Sequence, residues 1–241
     1  MNILITGGAS GLGEAITKKL AEDLNNSIFF TYSKSAMKAK EIETDYPNSR
    51  AIKCDFSEPD DIQALQLAMH EFDLDVLINN AYNGEFIKSH FQKTPTNDFF
   101  LDFKNNILPV IEITQTAILS FRKKKSGKII TILSAALVNT PPIGSSVYIA
   151  NKAYLEKLTK VWAIENIKFN ISSNSISPSF MLTALTAETD ERMIEQIKES
   201  HPLKKLLTIE EVATSVSFLC SASVQMNGVD LLMNAGMNIK N

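Results

Sequence analysis

Short apolar runs alternate with longer segments of helical period along the whole chain. The apolar runs are nearly continuous rather than alternating with polar residues, which is typical of strands covered on both faces. The predicted strands are Asn2–Thr6, Ser27–Tyr32, Arg50–Cys54, Val76–Asn79, Lys128–Leu133, Ile171–Ile176 and Val229–Met233. The predicted helices are Gly13–Leu24, Ala36–Tyr46, Asp60–Phe72, Asn97–Lys124, Val147–Lys168 and Ile209–Cys220.

This alternation predicts right-handed crossovers and therefore a doubly wound α/β fold. We expect a parallel sheet of about seven strands with helices on both faces, a three-layer sandwich. No repeat, low-complexity tract or linker divides the 241 residues, so we expect one domain over residues 1–241. Residues 180–206 follow a strand without a clean period, and we predict a helical lid there.

Composition and charge narrow the possible partners. A net charge of −3 disfavours a large phosphate-binding face, so nucleic acid is not an expected partner. The chain begins without a basic leader and has no apolar run of about 20 residues, so we expect a cytoplasmic protein without a membrane span. Cys54 and Cys220 lie in apolar stretches, which favours buried free thiols over a disulfide. The three histidines lack the spacing of metal ligands, so no metal is expected.

A glycine-rich segment, residues 6–13 (Thr-Gly-Gly-Ala-Ser-Gly-Leu-Gly), joins the first strand to the first helix. Gly7 permits a tight turn, Gly11 lets the backbone approach a pyrophosphate, and Gly13 allows close packing of the helix. The helix N-terminus adds oriented N–H donors for phosphate charge. Because a glycine-rich turn can also serve geometry alone, the downstream residues decide its meaning.

Further motifs follow at the ends of later strands. Asp55 ends the third strand, Asn-Asn-Ala-Tyr at residues 79–82 follows the fourth, and Ser134 follows the fifth. Tyr148 and Lys152 form a Tyr-x-x-x-Lys pair, with Tyr148 14 residues beyond Ser134. With the Gly-x-x-x-Gly-x-Gly turn, the chain resembles classical short-chain dehydrogenases/reductases, and its last third resembles the 3-oxoacyl-(acyl carrier protein) reductases. The resemblance implies a Rossmann-type fold and an NAD(P)-dependent oxidoreductase acting on alcohol or carbonyl groups.

The resemblance also implies four catalytic residues. They are Asn106, Ser134, Tyr148 and Lys152, with Asn105 as the adjacent competitor of Asn106. In reduction, Tyr148 is expected to donate a proton to the carbonyl oxygen that Ser134 hydrogen-bonds. Lys152, one turn away on the same helix face, is expected to lower the pKa of Tyr148 by about three units. Asn106 is expected to interrupt its helix and hold a water that leads from Lys152 to solvent.

In the cofactor site that the resemblance implies, Asp55 and Phe56 contact adenine, whereas Met181 and Thr183 hold the carboxamide. The full set of expected cofactor contacts is Thr6, Gly7, Ser10, Gly11, Leu12, Gly13, Ser33, Lys34, Asp55, Phe56, Asn80, Ala81, Tyr148, Lys152, Pro178, Met181 and Thr183. Two residues depart from the family pattern, since Tyr82 and Ser179 replace glycines. The ring of Tyr82 is expected to narrow the cavity near the nicotinamide ribose or to redirect its loop.

The end of the second strand indicates which dinucleotide is preferred. No Asp or Glu follows Tyr32 to bind a ribose 2′-hydroxyl, whereas Lys34, between two serines, suits a 2′-phosphate. We therefore predict a preference for NADP(H) over NAD(H). Two observations stand against it: a loop lysine is often simply solvated, and Ser10 stands where many NADP-binding members carry arginine.

The expected substrate pocket is apolar and favours a neutral ketone. Its predicted wall consists of Ala135, Ala136, Leu137, Val138, Pro141, Ile143, Phe180 and Leu182. We predict NADPH-dependent reduction of a ketone, such as a 3-oxoacyl thioester, to a secondary alcohol. The alternatives are an alcohol, sugar or imine oxidoreductase of a specialised pathway, and a non-catalytic NADP(H)-binding sensor or scaffold.

Basic residues and apolar helix faces suggest macromolecular partners. The Arg122–Lys125 cluster and Lys168 are candidates for docking an acidic carrier protein, or are solvated charges at helix ends. Family members assemble as dimers or tetramers, so a homodimer or homotetramer is expected. The candidate contacts, which fit a core equally well, are Ala117, Leu119, Phe121, Leu155, Leu158 and Trp162.

Overall fold

The structure, a computed structural model, describes residues 1–83, 87–183, 186 and 189–237. The strands are β1 (Asn2–Ile5), β2 (Ser27–Tyr32), β3 (Ser49–Lys53), β4 (Val76–Asn79), β5 (Gly127–Ile132), β6 (Ile171–Pro178) and β7 (Asp230–Met233). The helices are α1 (Gly11–Ala21), α2 (Ala36–Asp45), α3 (Pro59–Met69), α4 (Thr96–Asn106), α5 (Leu108–Lys124), α6 (Ser146–Asn166), α7 (Glu191–Ser200) and α8 (Ile209–Ser221). All seven strands pair in parallel in the order β3-β2-β1-β4-β5-β6-β7.

Apolar side chains on the two faces of this sheet pack into two separate cores. In β1, Ile3 and Ile5 join the core on one face and Leu4 joins the core on the other, and all three are 0% exposed. Helices α1, α2 and α8 cover the first face, while α3, α5 and α6 cover the second. The predicted three-layer, doubly wound fold is therefore confirmed.

The predicted helix Asn97–Lys124 is wrong in one respect, because the structure divides it at Ile107 into α4 and α5. Pro109 lies in the first turn of α5. Proline has no N–H to donate to the carbonyl of Asn105, and its ring crowds that carbonyl, so a continuous helix is disfavoured there. The break places Asn106 at the end of α4.

Several predictions about the interior can be compared with burial. Cys54 and Cys220 are buried and free, as expected, and burial raises the pKa of each thiol to about 12. Leu119 is 60% exposed, and Leu158 packs partly buried against the core. The other candidate interface residues belong to the core: Ala117, Phe121, Leu155 and Trp162.

The region predicted as a lid contains α7, in which no residue is fully buried. Asp190 caps this helix by accepting a hydrogen bond from the backbone N–H of Arg192. Positions 184, 185, 187 and 188 of the predicted lid lie outside the described residues. A helix with no buried residue is compatible with a lid, and the lid itself stays a prediction. Among the described helices, none has both the length and the apolar character required to cross a bilayer.

Candidate active site

The site lies where the carboxyl ends of β1 and β4 meet, since the strand order changes direction between them. The hydroxyl of Thr6 donates to the carbonyl of Ile78 and accepts from the backbone N–H groups of Asn80 and Ala81, both at 3.0 Å. The amide of Asn80 donates to the carbonyls of Thr6 (2.9 Å) and Gly7 (3.2 Å). Thr6 is completely buried, so its side chain shapes the turn.

Gly13 packs the start of α1 against the same turn. A Cβ on Gly13 would lie 1.9 Å from the carbonyl oxygen of Gly7 and 2.6 Å from Nδ2 of Asn80. Gly7 itself has a φ of +67°, a conformation that glycine adopts without strain. The tight turn and the close packing expected at these two glycines are both present.

The beginning of α1 suits a phosphate group. Ser10 precedes the helix but makes no side-chain capping bond, so the first N–H groups are left without that acceptor. A Cβ on Gly11 would have only one neighbour within 4 Å among the described residues, Cβ of Thr183 at 3.7 Å. The loop after β6 thus lies close to the glycine-rich turn at Gly11. Leu12 lies in the first turn of the helix.

Thr183 belongs to a loop held by its own hydrogen bonds. Its backbone N–H donates to Oγ1 of Thr186, which in turn donates to the carbonyl of Met181 at 2.7 Å. Met181 packs against the core, and Pro178 ends β6. This loop could hold the nicotinamide end of a dinucleotide that lies along the carboxyl edge.

Asp55 lies two residues beyond the end of β3 and collects several donors. The N–H and hydroxyl of Ser57, the amide of Asn83 and the hydroxyl of Ser33 all donate to its carboxylate. The bonds from Ser57, above all, keep the pKa of Asp55 below its usual value. Phe56 beside it is buried. Ser33 was expected to contact the 2′-phosphate of the cofactor. In the structure its hydroxyl donates to Asp55.

Ser134 and Tyr148 meet at the end of β5. Ser134 accepts a hydrogen bond from the N–H of Ala136 at 3.2 Å and is hydrogen-bonded to the hydroxyl of Tyr148. Burial raises the pKa of Tyr148 to about 12, against the effect of the Ser134 bond. The pKa of Tyr148 is therefore raised, whereas Lys152 was expected to lower it, because desolvation of the phenolate is the larger effect.

Lys152 lies one turn beyond Tyr148 and is 6% exposed. Its ammonium donates to the carbonyl of Ile132 at 2.7 Å and lies 5.8 Å from the ring centre of Tyr148. Burial lowers the pKa of Lys152 to about 8, while the negative charge of Asp102 opposes that shift. Serine, tyrosine and lysine are therefore brought together as predicted.

Asn106 takes part in protein hydrogen bonds on both sides of its amide. Its Oδ1 accepts from the N–H of Asn83 at 2.5 Å, while Nδ2 donates to the carbonyl of Asn83 and to Asp102. The helix is interrupted next to Asn106, as expected, but Pro109 supplies the cause. The expected water contact would have to use the second lone pair of Oδ1, and it stays a prediction.

Asp102 is a site residue that the sequence motifs did not predict. Its carboxylate accepts hydrogen bonds from Tyr82, Asn106 and Asn151, although the residue is only 8% exposed. A signal was present, since Asp102 precedes Asn106 by four residues and so shares its helix face.

Tyr82 turns toward α4 rather than lying along the loop. Its hydroxyl donates to Asp102 at 2.8 Å, and its ring packs edge-to-face on Tyr148 with centres 5.4 Å apart. Burial and the Asp102 carboxylate raise the pKa of Tyr82. This ring stands beside Tyr148, at the position where glycine was expected.

The predicted carrier-docking residues lie far from this site. Helix α5 runs from the site at Leu108 to Lys124, a length of roughly 25 Å for its 17 residues. There Lys124 forms ion pairs with Asp75 (2.6 Å) and Asp73 (3.1 Å). Arg122 donates to Asn166. The cluster therefore sits at the amino edge of the sheet, and two of its four cations already have protein partners.

Comparisons with known proteins agree with this arrangement. A sequence model described as enoyl-(acyl carrier protein) reductase matches residues 7–238. The 3-oxoacyl-(acyl-carrier-protein) reductase of Aquifex aeolicus is 29% identical over 97% of this chain and 96% of its own length.

Solved structures share the fold over their whole length. A 3-ketoacyl-(acyl-carrier-protein) reductase from Brucella melitensis, complexed with NADH, is 25% identical with a TM-score of 0.88 over 98% of each chain. A short-chain dehydrogenase from Burkholderia cenocepacia, in complex with NADP, is 26% identical with a TM-score of 0.85, covering 99% of this chain and 98% of its own. The chain therefore belongs to the short-chain dehydrogenase/reductase family of NAD(P)-dependent oxidoreductases.

Proposed function

We propose that this protein reduces a neutral ketone, such as a 3-oxoacyl thioester, to a secondary alcohol with NADPH. The observation that carries the proposal is the hydrogen bond between Ser134 and Tyr148 with the buried ammonium of Lys152 beside it. The glycine-rich turn and the uncapped start of α1 provide phosphate donors along the same edge of the sheet.

The residues divide the chemistry as follows. When bound, a nicotinamide cofactor supplies the hydride. Ser134 orients the substrate oxygen beside the hydroxyl of Tyr148. A pKa of about 12 keeps Tyr148 protonated at neutral pH, so it is ready to donate a proton to the developing alkoxide.

Exposed apolar side chains support an apolar substrate. Val138, Ile143 and Leu182, all predicted as pocket wall, are 50%, 77% and 54% exposed. A cavity of about 410 Å³ opens beside the first turn of α6 and is lined partly by Phe91 and Pro141. An acyl chain could cover such surface, whereas a sugar would leave it in contact with water.

The preference for NADPH depends on Lys34. It is exposed just beyond β2, and no acidic residue occupies the positions around it, from Tyr32 to Ser35. Its ammonium is free to approach a 2′-phosphate, where a charge-assisted bond is worth about 1.5 kcal/mol, or about tenfold in affinity. Lys34→Ala should therefore weaken NADPH binding about tenfold and leave NADH binding unchanged, with Lys40→Ala on α2 as the control.

The test of the function is NADPH oxidation in the presence of acetoacetyl-CoA, compared with NADH. Tyr148→Phe should lower kcat by about 10²–10⁴-fold without changing NADPH affinity, because only the proton donor is lost. Tyr154→Phe, on the same helix but 44% exposed, is the matched control and should keep full activity. Turnover that survives Tyr148→Phe would refute the catalytic assignment. NADPH binding without any turnover would refute the thioester and direct the search to pathway-specific ketones.

A further inference from the structure

Asp102 is a buried acid in a place where its burial needs an explanation. It lies on α4 with 8% of its surface exposed. A carboxylate so far from water is costly unless other groups replace its hydration. The described residues that replace it come from three elements around the catalytic residues.

The donors to Asp102 occupy both of its oxygens. Oδ1 accepts from the hydroxyl of Tyr82 at 2.8 Å and from Nδ2 of Asn106 at 3.1 Å, whereas Oδ2 accepts from Nδ2 of Asn151 at 2.5 Å. A group that only accepts, on both oxygens, is behaving as an ionised carboxylate. None of these donors carries a positive charge, so the negative charge of Asp102 is not neutralised by them.

The buried cation on which that charge acts is Lys152. It follows Asn151 in the chain, and its ammonium lies 5.9 Å from the ring centre of Tyr82. The hydrogen-bond acceptor that the described residues give it is the neutral carbonyl of Ile132 on β5. The titratable groups that face it are Tyr148 on its own helix, Tyr82 on the loop after β4, and Asp102 on α4.

We propose that Asp102 is a positioning residue that keeps Lys152 in its ammonium form and holds Asn106 and Tyr82 in place beside it. The inference rests on the proposed function, since Lys152 matters there as the cation next to Tyr148. Removing the carboxylate charge should make the buried ammonium less stable, so Lys152 should lose its proton at a lower pH.

Asp102→Asn removes the charge with little change of shape. The asparagine oxygen can accept from Tyr82 and Asn106, and its NH₂ group can donate to Asn151 once that amide has rotated by half a turn. Asp98→Asn removes a charge from the first turn of the same helix and serves as the matched control. Tyr82→Phe removes one hydrogen bond but keeps the charge.

The measurement is the titration of Lys152 by NMR in protein labelled with ¹³C-lysine, which needs neither substrate nor turnover. The midpoint should fall by about half a pH unit or more in Asp102→Asn and stay in place in Asp98→Asn and Tyr82→Phe. Equal midpoints in the wild type and Asp102→Asn would overturn the proposal. Should Asp102→Asn not fold, the carboxyl resonance of Asp102 in the wild type decides, because a protonated Asp102 at pH 7 would also overturn it.

A kinetic profile then separates this proposal from the proposed function. With acetoacetyl-CoA, the basic limb of kcat/KM for NADPH should move to lower pH in Asp102→Asn by the same amount as the NMR midpoint. A merely structural role would lower the rate at every pH without moving the limb, and would count against the proposal. Absence of turnover in the wild type would reject the proposed substrate, while the NMR titration would still decide the role of Asp102.

Discussion

The packing of Gly13 against the glycine-rich turn leads to a quantitative prediction for Gly13→Ala. The added Cβ would lie 1.9 Å from the oxygen of Gly7, whereas real Cβ atoms essentially never come within 3.0 Å of another atom. The turn or the helix must therefore move by about 1 Å. Such overpacking costs about 1–3 kcal/mol, of which alanine returns up to about 1 kcal/mol through its helix propensity. A net loss of about 1–2 kcal/mol should lower Tm by roughly 2–8 °C.

The same displacement should weaken NADPH binding more than it lowers the free energy of unfolding. It moves the first N–H groups of α1, and the loss of one charge-assisted hydrogen bond to phosphate costs about 1.5–3 kcal/mol. We expect the Kd for NADPH, measured by fluorescence titration, to rise at least about tenfold. Gly228→Ala is the control, since its φ of +73° imposes strain while the nearest atom to the new Cβ is 3.7 Å away. That variant should lose stability but bind NADPH normally. An unchanged Kd in Gly13→Ala would refute the view that this contact shapes the phosphate site.

Two further predictions concern charge. Because burial holds the pKa of Lys152 at about 8, the ammonium is lost as the pH rises through 8, and kcat/KM for NADPH should fall above that pH and be constant well below it. A flat profile up to pH 10 would contradict this. Reversing the exposed charges in Lys123→Glu/Lys125→Glu should leave kcat/KM for acetoacetyl-CoA unchanged, because both residues lie at the far end of α5. If an acidic carrier docks there, KM for the carrier-bound substrate alone should rise, and equal effects on both substrates would exclude docking.

The fold was predictable because its strands are buried on both faces. Runs such as Ile3 to Ile5 are apolar at every position, and the alternation with helices then requires a parallel sheet. The division of the helix at Ile107 was missed because periodicity was followed across Pro109, although a proline inside a helical pattern ends or kinks it. The position of the basic cluster Arg122–Lys125 could also have been predicted from the sequence. A helix that follows a parallel strand returns to the amino edge, so its last turn lies opposite the site.

The residues predicted to be catalytic were chosen from motif spacing and family resemblance, but the interactions among them depend on contacts between distant segments. Nothing local relates Tyr82 to Asp102, and the direction in which the pKa of Tyr148 moves depends on burial that no spacing shows. The expectation that Lys152 lowers this pKa considered charge and omitted desolvation. Desolvation has the larger effect on the pKa of Tyr148.

Tyr82 and Asp102 account for each other. A tyrosine at the position of the family glycine brings a hydroxyl into a largely buried place, where it needs an acceptor. An acid on the buried face of α4 needs donors, and Tyr82 supplies one of the three. Without Asp102 the hydroxyl of Tyr82 would lose this acceptor, whereas Asp102 without Tyr82 would keep its donors Asn106 and Asn151. The effects of Tyr82→Phe and Asp102→Asn on the free energy of unfolding should therefore be coupled rather than additive, because the two side chains share one hydrogen bond. A double-mutant cycle measured by denaturant unfolding tests this, and additive effects would contradict it.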